Sequence, residues 1–424
     1  MPLFAIAAIR VILLTLAVFY LVLPAQAAEQ QSHQGKHRRL AGSSYASYYI
    51  DANDILWAWG SNIDKKLPTP IMGRVIAVAA GSSHALFLRS DGSVWALGSN
   101  IGGEVGVPDA KRNVPVRILS GVEYIDAHSF QSFAIKKDGS LWGWGTGGSS
   151  MGFGPSEGIQ KIPRQFLNNS LQVASGGKII LALVSSYSHM EYQVRQETDG
   201  VHEDDNYIKS GEKEYGPWLM AWGENTCGQF GNYLADDQIR PMPIRIIDSN
   251  GEEIKIHEGI TQIPINRVIA RIFADEIRGA VILKNGDAWL WGDVELKGCQ
   301  GIWPEHTEPR KMFGGNIQDL VLTYGILVLH QDGTLRGFGS DPVVTGGKYE
   351  ETPEDGLILL TDVQEIAAGN NHALALKKDG TLWTWGRNRY NQMDGTDNNY
   401  STIIQIHLPK LTKEDIVEIV SKYE

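Results

Sequence analysis

The sequence has few cysteines, a deficit of basic residues and no long hydrophobic run. Two cysteines, Cys227 and Cys299, occur in 424 residues, so the chain can form at most one disulfide with itself. Lys and Arg number 38 against 49 Asp and Glu, which gives a formal net charge of −11 at pH 7. A strongly acidic chain is a poor match for nucleic acid or anionic lipid, so we expect no nucleic-acid partner.

The N-terminal apolar run, residues 11–23, predicts a secretory signal rather than a membrane span. Arg10 precedes it, and Ala25-Gln26-Ala27 has the small-x-small pattern of a cleavage site. The run rises only about 20 Å as a helix, short of a bilayer core of about 30 Å, so an anchor would require Arg10 to snorkel. We predict a signal peptide at 1–27, a polar linker at 28–40, and a secreted or periplasmic protein without stable membrane insertion.

One phrase recurs along the chain: a turn, then a strand with tryptophan at alternate positions, then a glycine. Its clearest copy, 379–386, reads Asp-Gly-Thr-Leu-Trp-Thr-Trp-Gly. Asp-Gly favours positive φ and predicts a two-residue hairpin turn, and the strand places both tryptophans on one face. Seven copies end at Gly60, Gly98, Gly145, Gly223, Gly292, Gly339 and Gly386. The tryptophan before the glycine is present as Trp59, Trp144, Trp222, Trp291 and Trp385.

Successive closing glycines are 38, 47, 78, 69, 47 and 47 residues apart. A unit of roughly 40–50 residues is the size of one four-stranded propeller blade. The repeat therefore predicts an all-β fold, a seven-bladed β-propeller over 41–424. The two long intervals predict inserts at 185–217 and 248–264. Asp199-Gly200 and Asn250-Gly251 are the expected turns of a hairpin in each insert.

The end of the chain is predicted to close the ring. Residues 416–420, Ile-Val-Glu-Ile-Val, resemble the strand 363–367 that precedes the glycine-His pair in a full copy, and the first copy lacks such a strand. A C-terminal strand would complete the first blade and remove open sheet edges. A helix is the competing prediction, because Thr412 and Asp415 resemble a capping box. Register with the other copies favours the strand.

These motifs resemble the regulator-of-chromosome-condensation repeat family. The resemblance rests on the glycine-His pair at His84 and His372, the Asp-Gly turn, the Trp-x-Trp-Gly strand and a glycine-rich tail such as 225–231, Asn-Thr-Cys-Gly-Gln-Phe-Gly. It covers about residues 41–420 and implies a seven-bladed propeller. Its members include a nuclear exchange factor of a small GTPase, a plant ultraviolet sensor and a secreted bacterial inhibitor of β-lactamases, so the fold does not give the function. Export and acidic charge disfavour the nuclear role.

The motifs that could carry chemistry lack the context that the chemistry needs. Residues 143–148 match GxGxxG and residues 148–152 match GxSxG, but no helical stripe follows either. We expect His84 and His372 to fix their turns by hydrogen bonds. The run 202–205 lacks the spacing of a calcium loop and predicts a solvated hairpin tip. We predict no catalytic residue, cofactor or metal.

Eleven of the twelve tryptophans lie in the glycine-ended strands, which predicts packing between blades, with a photoreceptor cluster as the alternative. Trp303 lies outside this pattern and is a candidate anchor at an interface. Cys227 and Cys299 follow the glycine-ended strands of neighbouring copies, and they form either a disulfide or two separate buried thiols.

The sequence favours an exported, non-catalytic, monomeric propeller that binds an unidentified protein partner through loops on one face, as an inhibitor or adaptor. The insert 185–217 is the leading candidate for the contact. The candidate partner-binding residues are His202, Glu203, Asp204, Asp205, Tyr207 and Trp303. The alternatives are a carbohydrate-active or lyase-type enzyme with paired acids at the channel mouth, and a structural component of an envelope or coat.

Overall fold

The predicted seven-bladed β-propeller is confirmed. The computed structural model describes residues 37–111, 113–147, 158–188, 213–231, 238–243, 254–258, 261–294, 309–393 and 399–423. One compact unit spans Arg39–Glu424. Its described strands form seven four-stranded antiparallel sheets, and within each sheet the strands are neighbours in chain order. The predicted signal, 1–27, lies outside the described residues.

The strand bounds follow the repeat. Blade 1 contains Leu40–Gly42, Ala46–Ile50, Leu56–Gly60 and Lys65–Met72; blade 2 contains Val75–Ala80, His84–Arg89, Val94–Gly98 and Val116–Leu119. Blade 3 contains Val122–His128, Gln131–Lys136, Leu141–Thr146 and Ile159–Leu167; blade 4 contains Ser170–Ser175, Ile179–Ser188, Lys213–Gly223 and Gln238–Pro243. Blade 5 contains Ile269–Ala274, Arg278–Leu283, Ala288–Gly292 and Arg310–Phe313. Blade 6 contains Ile317–Leu322, Ile326–His330, Leu335–Phe338 and Leu357–Leu360; blade 7 contains Val363–Ala368, His372–Lys377, Leu382–Arg387 and Tyr400–Ile406. Short 3₁₀ helices occur at Ser61–Ile63 and Ile265–Val268.

The first strands of the blades line the central channel. Each contacts the first strands of its two neighbours, and Val363–Ala368 of blade 7 meets Leu40–Gly42 of blade 1. The described core divides into seven hydrophobic clusters, one at each joint between blades. Alternating apolar residues give each sheet two apolar faces, so every blade can be buried only between two others.

Strand direction divides the loops between two faces. Within a blade the strands alternate in direction, so the turns between strands 1 and 2 lie beside the glycine-rich connections between strands 3 and 4. We call this side the glycine-tail face. The turns between strands 2 and 3, and the links from one blade to the next, lie on the opposite side, the Asp-Gly face.

The Asp-Gly turn has three residues rather than the predicted two. In blade 2 the N–H of Arg89 donates to the carbonyl of Ser93, and the N–H of Gly92 donates to the carbonyl of Arg89, both at 2.9 Å. Gly92 has φ of +79°, whereas Asp91 is not among the residues with positive φ. The Asp91 carboxylate accepts from the N–H and the hydroxyl of Ser93. These bonds hold the aspartate in an ordinary conformation, and the glycine alone takes the left-handed one.

The C-terminal segment forms a helix, Lys413–Ser421, where we predicted a strand. The Thr412 hydroxyl accepts from the N–H of Asp415, and the Asp415 carboxylate accepts from the N–H of Thr412, which completes a capping box. The first blade already has its inner strand, Leu40–Gly42. The local capping signal therefore outweighs the similarity to strand 363–367.

This helix reinforces ring closure. Ile416 and Ile419 pack against the cluster shared by blades 7 and 1. Tyr423 packs against the cluster of blades 1 and 2, with its ring 5.4 Å from that of Trp95. Arg89 donates from Nη1 to the carbonyl of Tyr423 at 3.0 Å. The described helices include none with both the length and the apolar character of a membrane span.

Both inserts join the propeller on the Asp-Gly face. The strands Ile179–Ser188 and Lys213–Gly223 pair as far as Ser188 and Lys213, so the described ends of the 185–217 insert form a hairpin stem. Asp199-Gly200 lies outside the described residues. In the second insert Lys255–Glu258 pairs with Thr261–Pro264. The predicted turn Asn250-Gly251 precedes both of these strands in the chain and lies outside the described residues.

Candidate functional site

Tryptophans join four of the blades to the connection that follows the third strand of the preceding blade. Trp144 is fully buried, and its Nε1 donates to the carbonyl of Glu104 at 2.8 Å. The same bond recurs from Trp59 to Met393, from Trp291 to Gln229 and from Trp385 to Val343. Trp222 is buried at the next joint. Among the described aromatic contacts no tryptophan stacks on another, so these indoles serve the joints and not a cluster.

His84 and His372 hold neighbouring blades together, not their own turns as predicted. His84 Nε2 lies 2.8 Å from the hydroxyl of Ser132 in the next blade, and that hydroxyl donates to the carbonyl of Glu104. A hydroxyl has one proton, so Ser132 must accept from His84, and Nε2 of His84 therefore carries a proton. His372 makes the same arrangement with Ser47, at 2.7 Å.

Burial keeps both imidazoles neutral. It lowers the pKa of His84 and of His372 to about 3, because the protonated ring would lose its hydration. Both side chains are fully buried. The described residues contain no group of three or more His, Cys, Asp or Glu arranged for a metal ion. These two histidines therefore have a structural role.

Carboxylates near the channel mouth are also engaged. Asp126 accepts from the N–H of Ser175 at 2.9 Å. Asp275 accepts from the N–H groups of Ile277 and Arg278 and from the Arg278 guanidinium. Arg278 stands opposite Gly292 as His84 stands opposite Gly98, so the turn of blade 5 is fixed by an ion pair. These contacts organise turns and joints.

A ring of seven equivalent residues surrounds the channel on the glycine-tail face. Each precedes the residue that pairs with the closing glycine of its blade. The ring residues are Tyr45, Ser83, Phe130, Lys178, Ile277, Tyr324 and Asn371, and none of them is buried. We did not predict this ring from the sequence. The sequence nevertheless marks these positions by a constant spacing, because each ring residue stands fifteen positions before the closing glycine in six of the blades. In blade 4 the 185–217 insert lengthens this spacing.

Comparisons with known proteins agree with the repeat geometry. The profile of the regulator of chromosome condensation (RCC1) repeat matches residues 75–103 and 363–392, which contain His84 and His372. The solved structure of Prp20p from Saccharomyces cerevisiae superposes with a TM-score of 0.61 at 17% identity, over 92% of this chain and 96% of that one. The chain contains RCC1 repeats and folds as a seven-bladed propeller.

Curated relatives of this RCC1-repeat propeller have different names and lengths. The ultraviolet-B receptor UVR8 of Arabidopsis thaliana is 24% identical over 79% of this chain and 70% of its own length. The X-linked retinitis pigmentosa GTPase regulator homolog of Caenorhabditis elegans is 23% identical over 76% of this chain but only 24% of its own length. The chain thus spans about a quarter of the latter protein.

The tail of blade 2 in this RCC1-repeat propeller has a glutamate where other tails have glutamine. Glu104 is fully buried, and its Oε2 accepts from the N–H of Gly102 at 2.7 Å. In the tail of blade 4, Gln229 accepts from the N–H of Cys227 in the same way, and its amide Nε2 reaches the carbonyl of Glu276 at 3.4 Å. The corresponding oxygen of Glu104, Oε1, lacks a hydrogen-bond partner within the described structure. Burial raises the pKa of the Glu104 carboxyl.

We expect Glu104→Gln to stabilise the protein at pH 7. Because the pKa of Glu104 is raised in the folded state, the free energy of unfolding falls as the pH rises through that pKa, where the buried carboxyl must become charged. An unsatisfied buried group costs about 1–3 kcal/mol, so the free energy of unfolding should rise by about that amount at pH 7 and hardly at pH 4. Urea unfolding at both pH values measures this. The matched reverse change is Gln229→Glu, which should destabilise at pH 7; equal stability of all three proteins would contradict the prediction.

Cys227 is buried and disulfide-bonded. Cys299, the other cysteine of the sequence, lies outside the described residues, as do the predicted contact residues. Those residues are His202, Glu203, Asp204, Asp205, Tyr207 and Trp303. The GxGxxG match begins inside a strand, because residues 143–146 belong to the third strand of blade 3. These four residues therefore do not form the helix N-terminus that would hold a phosphate.

Proposed function

We propose that this RCC1-repeat propeller is exported and binds another protein, without catalysis, through the 185–217 insert. The observation that carries the proposal is the hairpin stem in blade 4. Its strand Ile179–Ser188 has 10 residues, whereas the second strands of the other blades have five or six. Four extra residues extend the stem by about 13 Å at 3.3 Å per residue. A paired stem of this length extends beyond the turns that the other blades place on the Asp-Gly face.

The acidic charge of the insert indicates that the partner has a basic surface. Residues 185–217 contain eight acidic and three basic side chains. Complementary charge steers association and selects partners, so we propose a partner with a basic patch. An inhibitor of a secreted enzyme and an adaptor are both versions of this function.

Three observations support a non-catalytic, exported binder. The buried histidines and the carboxylates near the channel are engaged in turns and joints. The disulfide of Cys227 suits an oxidising compartment, which agrees with the predicted signal at 1–27. The structural relative, yeast RCC1 (Prp20), has been crystallised bound to Kap60, and its binding properties to Gsp1p and histones accompany a second crystal structure. We propose protein binding for this chain as well, with a different partner.

The test replaces the whole insert with a short turn. Val184 pairs with Trp218, as Lys136 pairs with Ser140 in blade 3, so Lys-Asp-Gly, the sequence of residues 137–139, can stand in for 185–217. We expect the mature protein to capture a partner from the exported fraction, and the turn-replaced variant to lose it, with affinity reduced at least 100-fold in calorimetry with the purified partner.

The control is a full-length variant in which Glu203, Asp204 and Asp205 become Gln, Asn and Asn. It should weaken binding about tenfold at low salt and less at high salt, because screening reduces the charge contribution. Unchanged affinity of the turn-replaced variant would show that the site lies elsewhere. Failure of the intact protein to capture any partner would argue against a binding function.

A further inference from the structure

Exposed aromatic side chains are confined to one face of the described propeller. Among the large hydrophobic residues that are exposed, the aromatic ones are Phe130, Tyr324 and Tyr349, at 47%, 67% and 63% exposure. All three belong to turns or tails of the glycine-tail face. The Asp-Gly face contributes two aliphatic residues to this group, Leu171 and Val417. The aromatic surface therefore lies on the face opposite the described stem of the 185–217 insert.

We infer that the glycine-tail face is a second binding surface, in which the seven ring residues around the channel mouth accept an uncharged loop of a partner protein. This surface is independent of the insert. Its members, Phe130 and Tyr324 foremost, come from different blades and meet around one opening.

The composition of the turns supports a protein as the occupant. From blade 6 through blades 7, 1 and 2 to blade 3, the turns contain Ser, Thr, Asn, Gly, Tyr and Phe, and no charged residue. They are Thr323-Tyr324-Gly325, Gly369-Asn370-Asn371, Ser43-Ser44-Tyr45, Gly81-Ser82-Ser83 and Ser129-Phe130. Antibody loops use the same mixture, in which rigid aromatics supply contact area and small polar residues supply hydrogen bonds.

The absence of charge in these turns argues against nucleic acid as the occupant. Nucleic acid requires Lys and Arg for the phosphates, and these five turns have neither. Lys178 in blade 4 is the one charged ring residue, and the turn of blade 5 adds Asp275 and Glu276. In a chain of net charge −11, these five turns form an uncharged inner rim, which suits an uncharged contact.

The turns are held rigidly before any partner binds. Ser129 has φ of +49°, and its carbonyl accepts from the N–H of Ser82 in the neighbouring blade at 2.7 Å. Phe130 follows directly, and its carbonyl accepts from the N–H of Thr146. The Tyr45 ring stacks edge-on against Tyr390, with centroids 4.7 Å apart. Fixed backbones and stacked rings reduce the entropy lost on binding.

The ring geometry favours a loop over a strand or a helix. The ring residues lie just before the second strands, next to the first strands that line the channel. A convex turn of a partner can enter such an opening and touch several blades at once. An extended strand would need a free sheet edge, which in this fold lies at the outer strands instead.

The test uses a phage-displayed library of disulfide-closed nonapeptides as the probe, panned against the mature protein. We expect uncharged loops to be enriched. Phe130→Ser and Tyr324→Ser should each weaken the selected loops at least tenfold in fluorescence anisotropy, because central aromatic anchors dominate interface energy. Leu67→Ser is the matched control, since Leu67 is 61% exposed on the outer strand of blade 1.

The turn-replaced 185–217 variant separates this proposal from the proposed function. It should bind the selected loops as tightly as the intact protein does. Loops that bind both serine variants with unchanged affinity would overturn the inference, as would the absence of any enriched loop. Thermal unfolding verifies that the exposed substitutions leave the fold intact.

Discussion

Gly145→Ala should prevent the propeller from folding stably. Gly145 closes the third strand of blade 3 with φ of +110°, and an added Cβ would lie 2.1 Å from the carbonyl oxygen of Phe130. That oxygen belongs to the backbone, so no side-chain rotation relieves the overlap. Displacing it would disturb the hydrogen bond from the N–H of Thr146 to Phe130.

The expected loss is on the order of 4 kcal/mol or more, at the upper end of single substitutions. Native domains are stable by about 5–15 kcal/mol, so such a loss should appear as low yield of folded protein and a strongly lowered urea midpoint.

Gly121→Ala is the control for backbone conformation alone. Gly121 has φ of +71°, but no atom lies within 4 Å of an added Cβ. Its substitution should cost only the left-handed conformation of alanine, about 1–2 kcal/mol. If Gly145→Ala were as mild as Gly121→Ala, the closing glycines would be required for φ and not for the close approach of two strands.

The same close approach explains why the sequence predicted the fold so well. At Gly60, Gly98, Gly145, Gly223 and Gly292 an added Cβ would lie within 2.5 Å of the carbonyl before the paired residue. Only glycine fits there, so the residue persists in every blade and its spacing reveals the blade count. A constraint that acts within one hairpin leaves a readable trace in the sequence.

Contacts between blades leave no such trace. His84 reaches Ser132 across 48 residues and His372 reaches Ser47 across 325, and a local pattern cannot identify either partner. We therefore predicted bonds within the turns. The C-terminal helix was missed for the opposite reason: the capping box of Thr412 is a local signal, and similarity to a distant strand was given more weight.

The ring residues show a third limit. Their offset from the closing glycine is regular, but their identities range from Ser83 to Tyr324, so no recurring residue type marks the position. Structural positions recur because one geometry demands one residue. Positions that face solvent are free to vary between blades, and a contact surface can be recognised there only after the fold has brought the seven turns together.

Lowering the pH from 7 to 5 should destabilise the protein, with His84 and His372 as the main cause. Both have a folded-state pKa of about 3, against about 6.5 in the unfolded chain. Between these two pKa values the unfolded state binds more protons than the folded state. The free energy of unfolding is therefore not reduced by the histidines above about pH 6.5, and it falls as the pH decreases towards 3. Because pH 5 lies about 1.5 units below the pKa of histidine in the unfolded chain, each histidine should lower the free energy of unfolding by roughly 2 kcal/mol at that pH.

The double variant His84→Gln, His372→Gln should remove most of this pH dependence. Glutamine is suited to the position, because Gln131 occupies it in blade 3, opposite Gly145, and donates from its Nε2 to the carbonyl of Gly177 at 2.9 Å. An amide can donate to Ser132 and Ser47 as the imidazoles do, but it does not titrate. We expect the variant to be somewhat less stable than the natural protein at pH 7 and comparable or more stable at pH 5.

Urea unfolding at pH 7, 6 and 5 provides the comparison, and His330→Gln serves as the control. His330 is partly buried outside the joints, where it lies 3.2 Å from Asn316, so its substitution should leave most of the pH dependence in place. A double variant whose stability falls as steeply with acid as that of the natural protein would show that the two histidines are not held neutral. The neutrality of both rings would then be wrong, whereas the donation from Nε2–H to each serine would still hold, because a charged imidazole also carries that proton.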